Sequence, residues 1–314
     1  MKRFIYAGCS YTNFAFPTWG DIIAYDLLKY KGFDTALNLG KGGACNSYIA
    51  HQLLLVRDKI NIKSDHIGVN WSTPDRLSYV TNPPKDIAHS IWVTNGSVIY
   101  GGNAYHEDHL LNINSGHSCL MRTFDAYNSI NAIFNIQYQS KMDISSDGKE
   151  LYEYLNEPPM NNQFQRAYMI DTWENYNNLP AFKMPTDPAW GFENDEVLHR
   201  LHSSHPDMIA HLNHAQTIAD LHPDTIDMFT NLHYKFVKDL KKVYSKLDTS
   251  DLKTAQGIHI GDKLKHEINE ELKRYQVYQK IWDLEPYNDN RLKFAEYDYR
   301  STKFSNYNPD DDII

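Results

Sequence analysis

The chain has 314 residues, 41% hydrophobic and 23% charged, with a net charge of −9. That size and apolar content suffice for a packed core and exclude a wholly disordered chain. The acidic balance argues against a general nucleic-acid surface, which needs clustered Lys and Arg, and no apolar run reaches the roughly 18 residues of a membrane span.

Phe4-Ile5-Tyr6-Ala7 reads as a short apolar strand that runs into Gly8-Cys9-Ser10. The apolar stretch before Cys9 falls short of the about 7–15 residues of a secretory signal, so the first strand is structure and synthesis in a cytoplasm is expected. Cys9, Cys45 and Cys119 are the only cysteines, too few for a disulfide framework in a chain this long, so reduced thiols are expected. Thr18 with Asp21 three residues on predicts a helix start. Ile22, Ile23, Leu27 and Leu28 give its apolar stripe and Gly32 its stop.

Ala36–Leu39 is a second strand, ending in Asn38-x-Gly40-x-x-Gly43, and the next helix carries Ile49, Leu53, Leu54 and Ile60. Ile67–Trp71 is a third strand, ending at Ser72-Thr73-Pro74-Asp75-Arg76. Three successive strand–loop–helix units predict an α/β fold with a parallel sheet and right-handed crossovers.

Residues 80–118 read as an irregular insertion with a small hairpin near Val98–Gly102. A helix is predicted over Met121–Tyr138, and Met169–Trp173 reads as a later strand. Ile226, Phe229, Leu232, Phe236, Val237, Leu240, Val243 and Leu247 predict a long helix over 224–247. The expected organisation is one domain over 1–247 and a helical extension with a mobile polar tail over 248–314.

A serine at the carboxyl end of a strand stands where open α/β sheets bind ligands. Ser10 is therefore a candidate nucleophile, and a plain turn serine is its bland alternative. The Gly40–Gly43 loop opens a helix, where a backbone N–H can approach an anion; a tight packing turn is the alternative. It has neither the Gly-Lys-Ser/Thr of a phosphate loop nor the dinucleotide spacing. Asp220-Leu221-His222-Pro223 offers a base, with Pro223 suited to a first helical position and Asp220 near enough to orient the ring. Cys9 is expected to face the core. His202, His205, His211 and His214 are dense enough to raise a metal site, but without a sulfur ligand or a specific acid none is assigned.

Together these motifs resemble the SGNH/GDSL hydrolases, over roughly residues 1–80 and 215–245. The nearest variety is common in bacteriophage genomes, where Trp-Ser/Thr-x-Pro-x-Arg follows the third strand, as Trp71 to Arg76 do here. The resemblance implies a three-layer flavodoxin-like fold and an esterase or acetylhydrolase with no required cofactor. It implies Ser10 as nucleophile, the N–H groups of Ser10 and Gly43 as oxyanion donors, His222 as base and Asp220 as its acid.

The family's third-block asparagine has no clean match. Asn70 is nearest, but it falls inside the predicted strand, and Ser72 or Thr73 could substitute. Gly-Asp-Ser is Gly-Cys-Ser here, and Asp-x-x-His is shortened to Asp-x-His. His205-Pro206, followed by His211 and Ala215, fits the family's His-Pro pattern about as well, with His202 where an acid would stand. His205 is thus the alternative base.

The expected substrate is a small-molecule or glycan acetyl ester, without nucleic acid or membrane as partner. Its place is the cytoplasm at synthesis, or the host cytoplasm or virion if phage-encoded. Twenty-two tyrosines and the missing third-block Asn support a second expectation, a weak or inactive glycan-binding or structural module of a phage particle.

Overall fold

The computed structural model describes residues 2–13, 17–81, 91–97, 116–142, 163–182, 206 and 208–244. They fall into two compact units. The expected extension at 248–314, the Val98–Gly102 hairpin position, His202 and His205 lie outside the described residues.

The first unit holds a five-stranded sheet. Its strands are β1 (Arg3–Ala7), β2 (Thr35–Asn38), β3 (His66–Trp71), β6 (Tyr138–Met142) and β7 (Ala181–Phe182). They lie in the order β2-β1-β3-β6-β7, and every pairing is parallel. Setting aside the hairpin strands β4 (Arg76–Thr81) and β5 (Ile91–Ser97), the order becomes 2-1-3-4-5. It reverses between β1 and β3, which makes their carboxyl ends the switch point where doubly wound sheets take ligands. Phe4, Ile5, Tyr6 and Ala7 of β1 are buried, as are Ile67, Val69, Asn70 and Trp71 of β3. Burial on both faces is what near-continuous apolar strands of a parallel sheet require.

Helices α2 (Asn46–Leu55), α3 (Gly116–Ile133) and α4 (Gln163–Asn177) pack in succession. Aromatic edges hold them. Trp71 meets Tyr127 at 5.8 Å, and Tyr127 meets Tyr176 at 5.6 Å. Such edge-to-face pairs add to the apolar area they bury.

Two elements correct the expected ones. Met169–Trp173 is not a strand; it lies inside α4, where Met169, Thr172 and Tyr176 recur at helical spacing on the buried side. The helix expected to reach Tyr138 stops at Ile133, and Tyr138 starts β6. That strand reads poorly because its buried Ser140 and Lys141 depend on distant partners. Asn70 Nδ2 donates to Ser140 Oγ at 2.8 Å. Lys141 Nζ donates to the carbonyl and side-chain oxygens of Asn177 at 2.8 and 2.7 Å, placing a cation at the C-terminus of α4.

The second unit contains α1 (Trp19–Tyr30), α5 (Met208–Ile218) and α6 (Pro223–Tyr244). Asp21 accepts from the Thr18 N–H at 2.9 Å, as the cap pattern predicts, and Gly32 follows the helix at φ +67°. Asp26 is the polar centre. Its Oδ1 accepts from the His222 N–H at 2.7 Å and the Thr225 hydroxyl at 2.8 Å, and its Oδ2 lies 3.0 Å from Lys31 Nζ. Trp19 N–H donates to His211 Nδ1 at 3.3 Å, and the Trp19 indole packs edge-on to His214. Among the described residues, no helix is long and apolar enough to cross a membrane.

Burial lowers the pKa of His214 and of His233 to about 4. The unfolded chain takes up these protons near pH 6.5 while the folded unit resists them, so stability present above that pH is lost as pH falls toward 4. Unfolding free energies from urea denaturation at pH 7.5 and 4.5 should differ by about 2–5 kcal/mol, and a His214→Leu, His233→Leu double variant should show a smaller difference.

Candidate active site

Ser10 lies in the turn after β1, at the switch point of the sheet. The turn closes through Thr12 and Asn13 N–H donors to the Cys9 carbonyl at 2.9 and 3.2 Å. Among the described residues, neither the N–H nor the hydroxyl of Ser10 has a hydrogen-bond partner. Cys9 is fully buried with Sγ 3.4 Å from Met142 Sδ, so its thiol faces the core.

The loop after β2 is fastened to this turn. Leu39 N–H donates to the Tyr6 carbonyl at 2.8 Å, and Lys41 N–H donates to the Gly8 carbonyl at 3.1 Å. Asn38 bridges the two loops: its Nδ2 donates to the Thr12 carbonyl at 2.8 Å, and its Oδ1 accepts from Gly40 N–H at 2.8 Å. Asn13 Nδ2 donates back to the Gly40 carbonyl at 2.9 Å. A Cβ on Gly8 would stand 2.0 Å from Thr12 Oγ1, and one on Gly40 would stand 3.0 Å from Thr12 Cβ. Both glycines are required by close approach rather than by turn type.

Beyond them, Ala44 N–H donates to Lys41 O at 3.2 Å, with Gly43 at φ +69° within that turn. A side chain would be strained at this φ. Gly43 N–H makes no hydrogen bond among the described residues. Two backbone donors and one hydroxyl on fastened, adjoining loops therefore lack internal partners.

The third block is arranged otherwise than expected. Asn70 is fully buried within β3 and its amide donates to Ser140, so it offers no donor to a ligand. The Ser72 N–H donates to Asn46 Oδ1 at 2.7 Å and its hydroxyl is fully buried, so Ser72 does not replace it. Asn46 Nδ2 returns a bond to the Ser72 carbonyl at 2.9 Å. Asn46 thus ties the N-terminus of α2 to the end of β3, a role the sequence reading did not assign. Its signal was an asparagine at a helix start.

Asp220 and His222 belong to the second unit, and the expected pair between them is not formed. Asp220 is exposed, and only its carbonyl is engaged, accepting from Lys31 Nζ. His222 stands immediately before α6 and caps it: its carbonyl accepts from Thr225 N–H at 2.9 Å, and its Nδ1 accepts from Asp224 N–H at 3.2 Å. The exposed ring stacks on Tyr30 with centroids 3.9 Å apart. An Nδ1 that accepts a bond leaves the proton on Nε2, whereas a serine base needs the opposite tautomer. Among the described residues, no group of three His, Cys, Asp or Glu is placed to hold a metal ion.

Comparison with protein-family models, curated proteins and solved structures finds no match to this chain.

Gly8→Ala should destabilise the protein by about 2–4 kcal/mol in urea denaturation, through overpacking against Thr12. Thr12→Ala in the same chain should recover part of that loss, since Oγ1 goes while Cβ stays. His222→Ala should lower stability by about 1 kcal/mol through loss of the α6 cap, whatever its effect on activity.

Proposed function

We propose that the protein is a serine esterase of the SGNH/GDSL kind with a three-layer flavodoxin-like fold, acting on a small acetyl ester of a carbohydrate. One observation carries the reading. At the β1/β3 switch point, a serine whose hydroxyl and N–H have no partner among the described residues adjoins a loop whose Gly43 N–H likewise has none. Such a set can meet both the electrophilic carbon and the developing oxyanion of an ester.

In the proposed reaction, a histidine takes the proton of Ser10 Oγ as that oxygen attacks the ester carbonyl. The Ser10 and Gly43 N–H groups hold the negative oxygen. The C–O bond to the alcohol breaks, and the histidine returns the proton to the leaving oxygen. Water then attacks the acyl-enzyme through the same base and releases the acid. The Nδ1 contact and Tyr30 stack of His222 favour His205 as the base. His205 precedes Pro206 in the sequence, as in the family's His-Pro pattern.

The engaged amide of Asn70 favours a second reading, a weakly active or inactive binding module of a phage particle. Loss of one oxyanion donor costs about 10²–10³-fold in rate in a serine protease.

Hydrolysis of 4-nitrophenyl acetate separates these readings. The esterase reading expects turnover in the wild type, loss of at least about 10³-fold in Ser10→Ala and in His205→Ala, and a much smaller loss in His222→Ala. A fluorophosphonate probe should label Ser10. Absence of both turnover and labelling in the wild type would sink the esterase reading and leave the binding module.

A further inference from the structure

The segment Trp71-Ser72-Thr73-Pro74-Asp75-Arg76 leads from β3 into β4. Most of it has a structural task. Trp71 is fully buried against Tyr127. The Ser72 backbone is held on both sides by Asn46, and its carbonyl also accepts from the Tyr176 hydroxyl at 3.2 Å. Arg76 N–H closes a turn on the Thr73 carbonyl at 3.3 Å, with Pro74 at the position that favours proline.

The Arg76 side chain has no such task. Its Nε and Nη1 are both buried, and neither has a hydrogen-bond partner among the described residues. It makes no ion pair with any described residue, although Asp75 is its neighbour. Burying two guanidinium nitrogens without an acceptor is unfavourable, and the planar fork is shaped for a carboxylate or phosphate.

Its position ties it to the candidate site within one unit. Tyr11, next to Ser10, feels its charge: burial and Cys9 push the phenol pKa up, and Arg76 acts against them. Two residues beyond Arg76, Ser78 Oγ accepts the Cys45 N–H at 3.1 Å, two residues past Gly43. The start of β4 is thus anchored beside the Gly43 loop, and the Arg76 charge reaches Tyr11 in the Ser10 turn.

We propose that Arg76 is the anion-recognition group of the Ser10 site, binding a carboxylate or phosphate carried by the ester. The proposal rests on Ser10 being the esterase nucleophile. It narrows the substrate to an acyl ester of an acidic sugar or of a phosphorylated alcohol, and disfavours neutral lipid esters. Two oxygens of the anion would accept from the fork in parallel, as guanidinium–oxyanion pairs do.

The test compares phenyl acetate, 4-acetoxybenzoate and 4-acetoxyphenyl phosphate as substrates for the wild type, Arg76→Gln and Arg76→Lys. In the wild type, kcat/KM should favour one charged ester over phenyl acetate by about tenfold or more, and which one identifies the anion. Arg76→Gln should bring the ratio near one, and Arg76→Lys should keep part of it. An unchanged ratio in Arg76→Gln overturns the proposal.

A second arm does not depend on turnover. Ser10→Ala protein is titrated calorimetrically with galacturonate and with inorganic phosphate, with thermal unfolding as the control for folding. Binding that Arg76→Gln abolishes supports the anion site even if the wild type hydrolyses no ester, in which case only the esterase reading has failed. No binding of either anion, together with no charge preference in hydrolysis, overturns it.

Discussion

The closeness of two loops governs the architecture of the candidate site. Thr12 lies so near Gly8 and Gly40 that neither position has room for a Cβ. Asn38 locks the arrangement with one donor and one acceptor directed to different loops. Side-chain amides that satisfy backbone groups of two segments at once act as staples, because each buried polar group left open would be costly. The Ser10 turn is thereby held without using its own N–H or hydroxyl. Those groups remain available for a ligand because the neighbouring residues carry the structural hydrogen bonds.

The same division recurs after β3. Asn46 satisfies both polar groups of the Ser72 backbone, Tyr176 adds a third bond, and Trp71 fills the core. What remains in this segment is the Arg76 side chain, whose Nε and Nη1 have no acceptor among the described residues. In a unit where even Lys141 has two oxygen partners and Arg3 is paired with Asp65, an unpartnered Arg76 stands apart. Interiors pair their charges, so an exception whose charge reaches Tyr11, the residue after Ser10, has a functional reading that an exception elsewhere would lack.

In the second unit, several described polar groups make structural hydrogen bonds. Asp26, buried in α1, gathers the His222 N–H, the Thr225 hydroxyl and the Lys31 ammonium, and so joins α1 to the start of α6. His211 accepts the Trp19 N–H at the other end of α1, one of the donors that a helix start leaves open. His222 is drawn into the same scheme as a cap. A histidine beside a proline at a helix start suits capping as well as catalysis, and the hydrogen bond at Nδ1 gives His222 the capping part.

Sequence alone determined the elements whose signal is local. Apolar runs marked β1, β2 and β3, Thr18 and Asp21 marked the start of α1, Gly32 marked its end, and the periodic stripe marked α6. It also placed Ser10 and Gly43 on loops at strand ends, because strand, loop and helix follow one another within a few residues. Tertiary structure decided what depends on partners far along the chain. β6 is a strand because Asn70, 70 residues away, accommodates Ser140, and because Asn177 accepts Lys141. The Asn70 amide is engaged inside the sheet for the same reason. Asp220 and His222 looked like a pair because they are two residues apart, yet Tyr30 and Asp26 fix that histidine from almost 200 positions earlier. Spacing reports which groups are near in the chain; which hydrogen bonds they form is set by the fold that surrounds them.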